Sequence, residues 1–190
     1  MDMGDGFDNA LIRARAGDPE GFCVLWKNLQ ADLRRYLQGL GCDEAEDVAS
    51  ETWLHAIRDL RGFTGAGTDF RAWLFSIGRH RAIDAARSRA RFRDKVRNLV
   101  SGSEPDARPV EDEVLFRLSS EQAAALMAGL TGDQAAVVGL RVIAGLDTDN
   151  TAEILSKSRG AVRACLHRGL RTLSADPRVR VLAQAGRDGV

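Results

Sequence analysis

The chain has 190 residues, 44% of them hydrophobic and 28% charged, with 27 basic side chains balancing 27 acidic ones. That length allows one domain or two small ones, and the composition is ordinary for a soluble globular protein. No apolar run approaches the ~20 residues that a bilayer span needs, and residues 1–7 are acidic where a secretory signal is basic and then apolar, so a cytoplasmic protein without membrane insertion is expected.

Helical patterns dominate and strand signals are weak. Leu25, Leu29, Leu33, Tyr36 and Leu37 recur at three and four residues and form one apolar stripe. Val48/Ala49, Thr52/Trp53, Ala56/Ile57 and Leu60 form a second, for which Asp43 is the expected N-cap and Glu46 its capping-box partner. After a Gly-rich stretch at 62–67, Phe70, Trp73, Leu74 and Ile77 form a third. Residues 101–110 (SGSEPDARPV) hold two of the four prolines among Gly, Ser and acidic residues, and read as a linker between domains. Beyond it, Val114, Leu115, Leu118, Gln122 and Leu126 share a helix face. Thr131 and Gln134 form a capping box ahead of residues 137–143. The fold class is therefore all-α: two small helical domains, 8–98 and 112–176, joined by a flexible linker at 99–111 and followed by a tail at 177–190 expected to be too short for a further domain. A linker of this composition predicts two domains that move independently unless a partner fixes them.

The zero net charge hides a sorting into blocks. Between residues 79 and 97 lie Arg79, Arg81, Arg87, Arg89, Arg91, Arg93, Lys95 and Arg97, opposed only by Asp84 and Asp94, whereas residues 43–51 carry Asp43, Glu44, Glu46, Asp47 and Glu51. Blocks of opposite sign suggest different partners. Asp47 and Glu51 are four apart on a polar face, with His55 four further on. Metal binding or acid–base work at Glu51 and His55 lacks a third ligand, base or nucleophile nearby, which leaves a solvated face or a docking face for a basic partner. Phe70 and Trp73 fall on the core stripe. Phe75, off it, is the candidate for an exposed aromatic that would stack on a base while the arginines hold phosphates. The basic block on its own also fits a solvated or frayed helix end. Cys23, Cys42 and Cys165 are scattered, without a CxxC pair, and read as reduced thiols with no disulfide or metal site.

Residues 148–173 fit a helix-turn-helix: a short helix to Leu155, then Ser156-Lys157-Ser158, then a helix capped by Ser158, with Val162, Leu166, Leu170 and Leu173 on its buried stripe. Arg163 lies at the edge of that stripe. Gly160, Ala164, His167, Arg168 and Arg171 lie opposite. A second helix of this kind enters the major groove and reads bases near its N-terminal end, where the Arg fork pairs bidentately with guanine or clamps phosphate. The same periodicity fits an ordinary helix with a solvated basic face.

Taken together, LIRARAGDPEGF (11–22), AEDVASETWLHAIRDLRGF (45–63), FRAWLFSIGRHRAIDAARSRAR (70–91), LTGDQAAVVGLRVIAGL (130–146) and AEILSKSRGAVRACLHRGLRTL (152–173) resemble the extracytoplasmic-function (ECF) sigma factors of the sigma-70 family, in order and spacing, over nearly the whole chain. The resemblance makes 8–98 a region 2 bundle and 112–176 a region 4 helix-turn-helix domain. It implies that Asp47, Glu51 and His55 dock on the β′ clamp helices of core RNA polymerase, and that Arg79, His80 and Phe75 serve the −10 element, with Arg87 and Arg91 on its phosphates. It further implies that Arg159, Arg163, Ala164, His167, Arg168 and Arg171 serve the −35 element, in a region 4 that also touches the β flap. Core polymerase, promoter DNA and an anti-sigma factor are the implied partners, and neither catalysis nor a cofactor is implied. The chain departs from the family at several positions. Arg79-His80 stand where Asn beside a basic or small residue is common, and Ser156 replaces the usual turn Gly. Thr151 replaces an apolar core residue, Arg159 a small apolar one, and Cys165 a frequent Arg. Two competing readings are a helix-turn-helix regulator that does not join polymerase, and a helical interaction module whose basic block meets an acidic protein.

Overall fold

The computed structural model describes residues 3–97 and 120–179. Helix α1 (Met3–Arg15) turns at Gly17 into α2 (Pro19–Gly39), followed by α3 (Ala45–Asp59), a 3-10 turn (Leu60–Gly62) and α4 (Gly67–Arg97). The start of α2 is set locally. Pro19 occupies the first turn, where its missing N–H costs nothing, and the Asp18 carboxylate accepts from the Glu20 amide at 2.9 Å. That amide, seconded by Arg13, holds the Asp18 carboxyl below its usual range. Arg13 bridges Asp18 at 2.6 Å and Glu20 at 2.8 Å, which fastens α1 to α2.

The α2 stripe is the centre of the molecule: Leu25, Leu29, Leu33, Tyr36 and Leu37 are fully buried, each apolar side chain contributing about 1.5–3 kcal/mol by leaving water. Val48, Ala49, Trp53 and Ala56 of α3 and Phe70 and Leu74 of α4 close over it. Thr52 is buried too, and its hydroxyl donates to the Val48 carbonyl at 2.7 Å, so no polar group is stranded there. Two expectations for α3 are corrected. Asp43 does not cap it: Glu44 is the N-cap, without a side-chain bond, and Asp43 instead accepts from Arg89 of α4 at 2.6 Å, while Glu46 lies 3.4 Å from Arg34. A charged partner displaces a neutral amide as the stronger donor. Ile57 is not on the core face either. It is exposed, as is its neighbour Leu54.

The second half comprises α5 (Ser120–Met127), α6 (Gly132–Val138), a π-helical turn (Gly139–Ile143), α7 (Thr148–Leu155) and α8 (Arg159–Ala175). The Thr131/Gln134 capping box forms in both directions. Asp147 caps α7 and Ser158 caps α8. Thr151, fully buried, donates to the Asp147 carbonyl at 2.7 Å, which is how a polar residue occupies an apolar core position. On α8 the buried face runs through Val162, Cys165 and Gly169, with Leu166 and Leu173 half-buried; Leu170, expected inside, is exposed. Gly169 draws the stripe to itself, because a Cβ there would lie 2.8 Å from Val138 and the two helices cross at that point.

The two halves are packed together and do not stand apart. The C-terminal end of α2 lies against α5, α6 and the π-helical turn, and α4 touches α7. One continuous apolar cluster runs from Ala10 to Cys165. The expected linker at 99–111, the tail beyond residue 179, and Val114, Leu115 and Leu118 lie outside the described residues.

Candidate nucleic-acid interface

Helix α4 carries the first basic surface. Arg79 is half-buried, beside the Tyr36 hydroxyl and close enough to Asp133 of α6 to lower its carboxyl, although Lys157 has the larger hold on that group. Burial pushes the Tyr36 phenol up to about 12, against the pull of Arg79. His80 is exposed, and its Nδ1 lies 2.8 Å from the Ser76 carbonyl. A carbonyl only accepts, so Nδ1 carries the hydrogen and donates this bond. Arg87 is exposed beside Asp84 at 3.7 Å, and Arg91 is exposed without an ion pair among the described residues. Arg81 and Arg89 are held by their own fold: Arg81 by Glu51 and His55, Arg89 by Asp43.

Phe75 is not the exposed aromatic. It is fully buried, its ring centroid 5.4 Å from that of Tyr36, because α4 has a second neighbour on the side where the periodicity shows none. Phe63, Phe70 and Trp73 pack on one another at the start of α4, with the stacked pair Phe63–Trp73 5.1 Å apart. The aromatic that stands in solvent among the arginines is Phe92, 68% exposed. Its place beside Arg91, off the core stripe, was the available signal.

On α3, Asp47 and Glu51 point outward, with Glu51 3.8 Å from Arg81. His55 is half-buried and committed. Its Nδ1 lies 3.1 Å from an Arg81 nitrogen, which only donates, so Nδ1 accepts and Nε2–H donates to Asp59 at 2.9 Å. The Asp59 carboxyl is lowered, first by Arg58 and also by His55. The outward row on α3 is thus Asp47 and Glu51 beside the exposed apolar Leu54 and Ile57, with His55 turned to α4.

The third surface is the helix-turn-helix. Ser156 closes α7 in the left-handed conformation (φ 50°, ψ 44°), which an L-residue adopts at some cost and which a glycine takes freely. Lys157 bonds Asp133 at 2.9 Å and so ties the turn back to α6. Ser158 accepts from the Ala161 amide at 3.2 Å and starts α8. Arg159 is paired with Asp149 of α7 at 2.5 Å. Arg163, Ala164, His167, Arg168 and Arg171 are all exposed, and none of their side chains forms an ion pair among the described residues. A free, rigidly capped basic helix after a tight turn has the shape and charge to enter a major groove.

No group of three or more metal-ligating side chains occurs among the described residues, and no helix there is long and apolar enough to cross a membrane. The three cysteines are free thiols; Cys42 is buried, and burial pushes its thiol up.

Comparisons with known proteins bear on both halves. Residues 25–92 match the family described as Sigma-70 region 2, and residues 120–173 match Sigma-70, region 4. The ECF RNA polymerase sigma factor BldN of Streptomyces coelicolor is 35% identical over 166 residues, covering 85% of this chain, which spans 62% of that protein's length. The ECF RNA polymerase sigma factor SigX of Bacillus subtilis is 30% identical over 160 residues, covering 81% of this chain and 82% of that protein. The solved structure of the sigma factor RpoE of Bartonella quintana, in complex with the anti-sigma factor NepR, superposes with a TM-score of 0.61 at 23% identity, over 80% of this chain and 93% of that one, a likeness of fold.

Proposed function

The chain belongs to the extracytoplasmic-function sigma factors of the sigma-70 family, and we propose that it joins core RNA polymerase and directs transcription initiation by reading −10 and −35 promoter elements. One observation carries the reading: the free basic face of α8 on a capped helix-turn-helix, in the same chain as an outward acidic row on α3. Arg163 stands on the second turn of α8, within reach of base edges. Arg168 and Arg171, further along, suit phosphate. Arg159, held by Asp149, orients the start of α8 more than it reads DNA.

On region 2, His80 presents Nε2 to a base while Arg87 and Arg91 track phosphates, and Phe92 takes the stacking role that Phe75, buried, does not fill. Asp47 and Glu51, with Leu54 and Ile57 between and beside them, form the polymerase-facing surface, an apolar patch with an acidic rim. His55 supports it from behind. The role is regulatory and asks no catalysis of the chain. It places the protein in the cytoplasm, with core polymerase, promoter DNA and an anti-sigma factor as partners. A DNA-binding regulator working apart from polymerase would have no use for the α3 row.

In vitro transcription with core polymerase and a genomic promoter library tests the proposal. Specific transcripts above core enzyme alone are expected, and their loss on reversing Asp47 and Glu51 to Lys, with helix content unchanged. A folded chain that yields no transcript above background would overturn it.

A further inference from the structure

Two cations stand at the mouth of the helix-turn-helix, Lys157 in the turn and Arg159 at the first position of α8. Each is held by a carboxylate from another helix. Asp133 of α6 lies 2.9 Å from the Lys157 Nζ, and Asp149 of α7 lies 2.5 Å from the Arg159 Nε. The second pair is not a packing requirement, since its side chains are 67% and 58% exposed. Beyond it Gly160 has no side chain, and a Cβ there would meet no closer atom than the Ser158 hydroxyl at 4.0 Å. Ala161 and Ala164 add only methyls. Of the cations between residues 156 and 165, Arg163 alone has no ion pair among the described residues. The later turns differ, because Arg168 and Arg171 are exposed and equally unpaired there. The positive charge of α8 is thus withheld from the end that meets bases and left free on the end that meets phosphate.

Withholding charge weakens the attraction to DNA, so it calls for a compensating gain. Off-target binding is carried almost wholly by phosphates, which every duplex offers alike. An unpaired arginine at the tip of the reading helix would take a phosphate wherever that helix rested on a backbone. At a matched site the tip is instead held against base edges by Arg163, and a neighbouring cation gains less. We propose that Asp149 is a specificity-determining residue of the −35 reader: it occupies Arg159 and so suppresses off-target binding, leaving discrimination to Arg163. The inference rests on the promoter reading proposed above and adds the residue that sets the ratio between right and wrong sites.

Asp149→Asn is isosteric and removes only the charge. Binding of the full chain to two fluorescent duplexes of equal length, the preferred −35 sequence and its scramble, is followed by anisotropy across salt concentrations. Asp149→Asn should tighten the scrambled duplex about two- to fivefold, the range that an exposed ion pair commands, and the preferred duplex less. The salt slope on the scramble should steepen by about one unit, the mark of one added phosphate contact. In an Arg159→Gln background the same change should gain nothing on the scramble. Asp149 also stands in the first turn of α7, where a carboxylate suits the helix end. A residue serving only that end would lower the urea midpoint and leave both affinities as they were. An unchanged scramble affinity, an equal gain on both duplexes, or a gain that survives Arg159→Gln overturns the role of Asp149 and leaves the promoter reading standing. A wild-type chain that binds neither duplex even at low salt retires both.

Discussion

Helices α4 and α8 both present arginines to solvent, but they employ them differently. On α4, Arg81, Arg87 and Arg89 face Glu51, Asp84 and Asp43, and Arg79 leans on Tyr36 and Asp133. On α8, Arg163, Arg168 and Arg171 have no acidic neighbour within ion-pair distance among the described residues. A count of basic residues therefore overstates α4 and understates α8. An arginine that already neutralises a carboxylate must give up that partner before it takes a phosphate, whereas a free one releases only water and counterions.

The sharpest consequence lies at Arg163. Arg163→Ala should cost roughly 1–3 kcal/mol of affinity on the preferred −35 duplex and less on a scrambled one, with no change in melting temperature. Equal losses on the two duplexes would reduce Arg163 to a phosphate contact. Next comes Arg89→Ala, which should lower stability by up to about 1 kcal/mol through loss of the Asp43 pair and leave DNA affinity nearly unchanged. Urea midpoints and filter binding distinguish the two, and the comparison breaks if Arg89→Ala costs affinity but not stability. Arg91→Ala should do the reverse: an unchanged urea midpoint, all promoters weakened about equally, and a salt slope shallower by about one unit.

The smallest effect concerns pH. Asp133 sits below its ordinary range because Lys157 bonds it. A lowered acid stabilises the fold above its unfolded value, and that contribution is lost as pH falls through the folded one. Urea midpoints of wild type and Lys157→Met should therefore differ at neutral pH and converge below the carboxylate range. A gap that widens on acidification would reverse the sign and end the assignment.

Much of the fold was legible because its causes are local. The α2 stripe follows from periodicity. Thr131, Asp147 and Ser158 bond amides three residues on, a spacing readable in any sequence. The illegible part depends on chain neighbours that no local pattern encodes. Asp43 abandons its expected cap for a guanidinium 46 residues away. Phe75 is buried because α4 is covered on a second side by Tyr36 of α2, and Leu170 is exposed because Gly169 sets the approach of α8 to α6. His55 shares the outward spacing of Asp47 and Glu51 but lies within reach of Arg81. Charge, spacing and order point to the functional surfaces; which member of each surface is free emerges only with the packing.

The π-helical turn carries one more lesson, about counting. It closes when the Ala144 amide donates to the Gly139 carbonyl, five residues back, at 2.9 Å, one residue more than an α-turn holds. Relative to a plain α-turn, the stretch 139–143 holds one extra residue. Deleting one residue there would restore a plain α-turn and leave α7 and α8 near their present orientation, whereas adding one would rotate them by about 100° relative to α6. An insertion in this stretch should therefore be far less tolerated than a one-residue deletion there or a substitution at exposed Val142. A library that varies the length of 139–143 by one residue, sorted for transcription, would read out that intolerance directly.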